Sequence, residues 1–153
     1  MLKPTECAAP FTIDALPREP GAYLLVIDLC EAICLSAGRL GDCELPAGRY
    51  AYVGSARGPG GLHGRIARHL NPARRPHWHI DRLTAIAPVV TIWAIPSARP
   101  RPCEWVRWLL AQAGSRVPVA GFGSSDCRAG CPAHLVRVAP NLDLAAWDSG
   151  NGE

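Results

Sequence analysis

The stretch GRYAYVGSARGPGGLHGRIARHL, residues 48–70, crowds chemistry into little chain. A tyrosine strand runs into a glycine-rich turn, and the turn runs into a helix carrying Arg65, Arg68 and His69. Phenols, guanidinium groups and an imidazole beside glycines that let backbone approach a ligand closely are what a phosphate-handling site would use. The other reading is a strand, turn and helix that pack together and are basic. A second cluster, DCRAGCPAH, holds Cys127, Cys131 and His134, three soft-to-borderline metal ligands. A fourth could come from His77, His79 or Cys103, although the spacing is not that of a zinc finger, and buried free thiols are the alternative. In RRPHWHID, His77 and Asp81 fall one turn apart on the polar side of a helix, with His79 nearer its apolar side. They could line a strand-binding groove, supply metal ligands, or form a solvated face.

Helical geometry separates the cations. At 100° per residue Leu62, Ile66 and Leu70 make one apolar stripe that faces a sheet. His69 lies just inside its edge, and Arg65 borders it one turn earlier. Arg68 points almost directly away, towards solvent. Arg65 is therefore placed to be held rigidly, and Tyr52 closes the strand before it.

These groups must be positioned by a small α/β or α+β domain. GAYLLVIDL (21–29) reads as a strand, EAICLSAG as a second and GRYAYVG as a third. GGLHGRIARHL is a helix, followed by the loop NPARRP and a helix around HWHIDRLTAI. PVVTIWAI is a strand, CEWVRWLLAQA an amphipathic helix and HLVRV a last short strand. The expectation is a small mixed sheet of about three to five strands with packed helices. Residues 1–20 read as an irregular leader, 21–140 as one domain and 141–153 as a flexible tail.

Composition bounds the function. A chain of 153 residues, 48% hydrophobic and 19% charged, suits one ordinary globular domain. Its apolar runs are too short to span a bilayer, so no membrane association is expected. The proline-broken start has no secretory h-region, and seven cysteines without such a signal read as reduced thiols in a cytoplasm. Net charge is only +3, but its distribution is uneven. No carboxylate stands between Glu44 and Asp81, where six arginines and four histidines fall, and Glu104 is the only acid between Asp81 and Asp126. Such depletion makes a positive surface suited to a polyanion, to which Arg57, Arg68, Arg74, Arg75, His77 and His79 would contribute. Solvated arginines without a partner are the alternative.

GAY at 21–23 and YVG at 52–54, followed by an Arg-xxx-His helix and an isolated glutamate, resemble the GIY-YIG nuclease superfamily. The counterparts are Tyr23, Tyr52, Gly54, Arg65, His69 and Glu104, over about residues 21–113. YVGSARGPGGL, HWHID and GFGSSDC further resemble a stand-alone branch of it. The resemblance implies a divalent-metal-dependent endonuclease that hydrolyses phosphodiester bonds in DNA. Glu104 would hold a single Mg²⁺ or Mn²⁺, Arg65 would clamp the scissile phosphate, and a tyrosine would deprotonate the attacking water. Tyr52 is favoured for that step, with Tyr23 and His69 completing the pocket.

Two departures accompany the likeness. Many members carry an asparagine beyond the glutamate, and here that role is vacant or falls to Ser124, Ser125 or Asp126. Members are also commonly tethered to a DNA-binding domain, for which there is no space. Structured or branched DNA, or a repair or targeting protein that delivers it, would then be the partner. A non-catalytic nucleic-acid-binding module and a zinc-stabilised interaction domain are the rival readings.

Overall fold

Strand β1, Gly21–Leu29, is apolar at nearly every position because both of its faces are covered. Tyr23, Leu25 and Ile27 belong to one core cluster, and Ala22, Leu24 and Val26 to another. The computed structural model describes residues 13–71, 78–124 and 127–144. Most of the expected leader (1–12), the loop with Arg74, Arg75 and His77 (72–77), Ser125, Asp126 and the end of the tail (145–153) lie outside the described residues.

The elements follow as β2 (Ile33–Ser36), β3 (Asp42–Leu45), β4 (Gly48–Ala56), α1 (Gly61–Leu70), α2 (His79–Thr84), β5 (Val89–Pro96), α3 (Pro102–Leu110) and β6 (Leu135–Val138). The main sheet has the order β5-β1-β4-β6, and β2 and β3 form a separate hairpin. Every pairing among the described residues is antiparallel where a mixed sheet was expected, because hairpins and returning crossovers join the strands. The fold is α+β, and its four-stranded main sheet has the expected strand number. Strand β3 was not expected. Its alternation of exposed and buried residues runs for only four positions between Gly41 and Pro46, which read as loop.

Two layers cover the sheet. Helices α1 and α2 bring Leu62, Ile66, Ile80 and Leu83 against Leu25, Ile27, Tyr50 and Phe122. Full burial of Leu62 and Ile66 contributes about 1.5–3 kcal/mol each. Helix α3 lays Trp105, Val106 and Leu109 against Leu24, Val53, Trp93 and Val136 on the other face. The stretch before Gly21 also packs on the domain: Leu16 is buried, and the carbonyls of Pro17 and Glu19 accept from the His63 and Leu62 amides. The glycine-rich turn thus serves the fold. Gly61 sits where a side chain would strike the Arg18 and Glu19 carbonyls. Amides at the start of α1 that could have met an anion are used within the chain.

Candidate active site and metal cluster

Register sets the first part of the site. Tyr23 of β1 lies opposite Gly54 of β4, while Tyr52 lies opposite Leu25. Both phenols therefore point to the α1 face, with ring centroids 6.4 Å apart. A Cβ at Gly54 would stand 2.5 Å from the Tyr23 hydroxyl, so this position must stay bare for the phenol to lie across it. Gly123, at φ 73°, plays a similar part over the edge of the Tyr52 ring and donates its N–H to Nδ1 of His79.

Helix α1 delivers His69 to the two phenols. The Tyr23 hydroxyl donates to His69 Nε2 at 2.6 Å, and His69 Nδ1–H donates to Asp81 Oδ1 at 2.7 Å. Asp81 Oδ2 accepts from the Trp78 amide at 2.9 Å, which caps α2 and fixes the carboxylate. Tyr23, His69 and Asp81 thus form a buried relay in which the carboxylate holds one imidazole tautomer. Burial, followed by the neighbouring Tyr52, pushes the Tyr23 phenol well above its ordinary value. Burial does the same to Tyr52, with Asp81 adding to it. Burial also pulls His69 below 6.5, against the opposing hydrogen bond from Asp81. At neutral pH the relay therefore contains a neutral phenol and a neutral imidazole, with the neutral Tyr52 phenol beside it.

Arg65 stands beside this relay as its helix angle predicts. It donates to the Ser55 carbonyl at 2.9 Å and stacks over Trp78, 4.4 Å from the ring centroid. Arg68 departs from expectation. It is half-buried rather than solvated, with its guanidinium 5.3 Å from the same indole. The reason is Trp78, which arrives from a different element and offers one aromatic surface to both arginines.

Tyr23, Tyr52, Arg65 and Trp78 form one wall of a cleft of about 760 Å³ that also takes in Glu104, Cys103, Cys127 and His134, with His69 and Asp81 behind that wall. Exposed Arg57, Arg101, Arg107 and Arg128 ring it. Among the described residues Glu104 is the only carboxylate on its lining. Glu104 stands half-exposed in the first turn of α3, 3.4 Å from Arg101. His79 is used inside the fold, its ring 5.4 Å from Phe122.

The thiol cluster adjoins the same cleft. Cys103, Cys127, Cys131 and His134 bring one ligand atom each to within 4.8 Å of one another, and this group could hold a metal ion. Of the candidates for a fourth ligand, Cys103 joins the group and His79 does not, while His77 lies outside the described residues. The Cys103 Sγ is 3.5 Å from Cys127 Sγ and 3.9 Å from His134 Nε2. Although burial opposes it, hydrogen bonds from the Cys131 backbone, His134 and Cys103 bring Cys127 down to about 6. Burial, then Cys103 and Cys127, push Cys131 up to about 12.

Sequence reasoning missed Trp78, and it offered Asp81 as a groove or metal-ligand candidate rather than as the partner of His69. Asp81 did carry a signal, as the only carboxylate between Glu44 and Glu104. Trp78 carried none.

The fold and site together define a small α+β domain with a basic, tyrosine-floored cleft bordered by a Cys₃His cluster. The chain belongs to the family described as Domain of unknown function DUF123, whose match covers residues 22–147. No curated protein and no solved structure matches it. Among the described residues no helix is long and apolar enough to cross a membrane.

Proposed function

We propose that this domain is a metal-dependent DNA endonuclease of the GIY-YIG type. The observation that carries the reading is the Tyr23–His69–Asp81 relay opening beside Arg65 in an arginine-ringed cleft. Phosphodiester hydrolysis needs a base for water and a cation facing the charge that develops on phosphorus. The hydrogen bonding favours Tyr23 over Tyr52 for the base. A neutral phenol can accept a proton from water only while releasing its own, and His69 Nε2 is there to receive it. Water thus passes a proton to the Tyr23 oxygen while the Tyr23 proton moves to His69, and Asp81 steadies the imidazolium. The water oxygen bonds to phosphorus as the bond to the departing sugar oxygen breaks, and that oxygen takes its proton from solvent. Arg65, oriented by Ser55 and Trp78, meets the phosphate oxygens with its remaining N–H groups.

Glu104 fits a hard cation: it is a half-exposed carboxylate on the cleft, with room around it for water and phosphate oxygens. A magnesium or manganese ion held there would supply positive charge at the departing oxygen. Arg57, Arg101, Arg107 and Arg128 would follow the flanking backbone, which makes binding salt-dependent.

The test is cleavage of plasmid, flapped and branched DNA, with RNA in parallel, under a magnesium and manganese titration. Wild-type protein should cut one or more DNA forms, and Glu104→Gln should bind them as well or better without cutting. Binding without cleavage in either metal would replace the reading with a non-catalytic module. Cleavage retained in Glu104→Gln would remove the single-ion site.

A further inference from the structure

We propose that Cys103, Cys127, Cys131 and His134 bind one zinc ion that clamps the first turn of α3 to the 127–134 segment and so fixes the cleft wall. The donor set is three thiols and an imidazole with no carboxylate oxygen, which selects zinc over magnesium or manganese. Its dimensions also suit zinc. A tetrahedral ion with zinc–sulfur bonds of about 2.3 Å has sulfur–sulfur edges of about 3.8 Å. The Cys103–Cys127 sulfur–sulfur separation is 3.5 Å. The Cys103 Sγ–His134 Nε2 separation is 3.9 Å against a sulfur–nitrogen edge of about 3.6 Å, so each lies within about 0.3 Å of its tetrahedral edge. Four protein ligands close the coordination sphere, the arrangement of a structural rather than a catalytic ion.

His134 is prepared for this role by contacts that need no metal. Its Nδ1–H donates to the Val53 carbonyl at 3.1 Å, which leaves the Nε2 lone pair facing Cys103. Its backbone N–H donates to the Phe122 carbonyl, and its carbonyl accepts from the Val53 amide. The cluster therefore has one member rooted on β4 and another, Cys103, at the start of α3. That helix start needs an anchor. Pro102 opens the helix, and Arg101 at its N-cap makes no side-chain capping bond. A zinc–sulfur bond to Cys103 supplies the missing constraint one residue before Glu104. The clamp's bearing on Glu104 rests on the nuclease reading; the zinc site itself does not.

Full-length protein prepared with zinc should contain one zinc per chain by elemental analysis. Cobalt substituted for it should show thiolate-to-metal charge-transfer absorption. Alkylation should then modify exposed Cys30 and Cys34 while Cys103, Cys127 and Cys131 stay protected until a chelator is added. Cys131→Ser should lose zinc and melt earlier, whereas Cys30→Ser should do neither. Where Cys131→Ser does not fold, the wild-type alkylation pattern decides. Hydrogen exchange reads the clamp: removing zinc should speed exchange in the first turn of α3 and leave α1 unchanged. Zinc-free protein whose three thiols alkylate equally with or without added zinc, or a Cys103–Cys127 disulfide, would overturn the site. Exchange in α3 indifferent to zinc would overturn the clamp. None of these readouts uses cleavage, so an inactive protein refutes the nuclease reading and leaves this one standing.

Discussion

Asp81→Asn tests the relay at the point where geometry leaves least freedom. Among the described residues the carboxylate accepts from His69 Nδ1–H at 2.7 Å and from the Trp78 amide at 2.9 Å. A carboxamide has one acceptor oxygen and one donor NH₂, so it cannot serve both. If the oxygen stays with Trp78, the NH₂ faces His69, and Nδ1 must become the acceptor. The imidazole proton then sits on Nε2, pointing at the Tyr23 hydroxyl instead of receiving from it. Wrong-tautomer substitutions in hydrolase triads cost about 10⁴-fold, and outer hydrogen bonds to a working histidine about 10–100-fold. Single-turnover cleavage should therefore fall by about 10²- to 10⁴-fold, with DNA affinity unchanged. The rate profile supplies a readout that a lost helix cap would not move. His69 must be neutral to accept a proton, and burial already holds it below 6.5. Asp81 pulls it upward, so removing the carboxylate should shift the acid limb of the rate further to low pH. Full activity, or a loss with the acid limb in place, would refute the relay.

Arg65→Ala should lower turnover by about 10²-fold or more, with little recovery in Arg65→Lys, because lysine cannot reproduce the fork. Arg68→Ala should mainly weaken DNA binding and reduce its salt slope by about one counterion; equal turnover losses in both would leave only a basic surface. Gly54→Ala should remove activity through Tyr23, since the new methyl would lie 2.5 Å from its hydroxyl. Its stability cost should be about 1–3 kcal/mol by denaturant unfolding, and wild-type turnover in this variant would show that Tyr23 need not lie flat.

What could be read in the sequence was whatever one element decides alone. The 3.6-residue period placed Leu62 and Ile66 inward, His69 at the stripe's edge and Arg65 beside it, as observed. The apolar runs marked β1 and β5. What could not be read depends on contacts between elements. Arg68 looked solvated because Trp78 is not on its helix. Asp81 looked like a polar helix residue because its partner lies on the preceding one. Cys103 was one of three equal choices for a fourth ligand until α3 was packed beside the 127–134 segment. Strand β3 escaped because four residues give an alternation too short to outweigh flanking glycine and proline.

The cleft is stitched from distant parts of the chain, and this fixes when it can exist. Tyr23 meets His69 across 46 positions, and Val53 meets His134 across 81. Pairings at such separation form late, because the intervening chain must be closed into a loop before they return any energy. During synthesis β1, β4, α1 and α2 can associate as soon as they have emerged. The floor and relay are then assembled, but the opposite wall is absent until α3 and the stretch through β6 have followed. A ribosome stalled before codon 134 would display the tyrosines and arginines without the second wall. The order of elements along the chain thus acts as a timer: the cleft is complete only once the chain has been translated through His134.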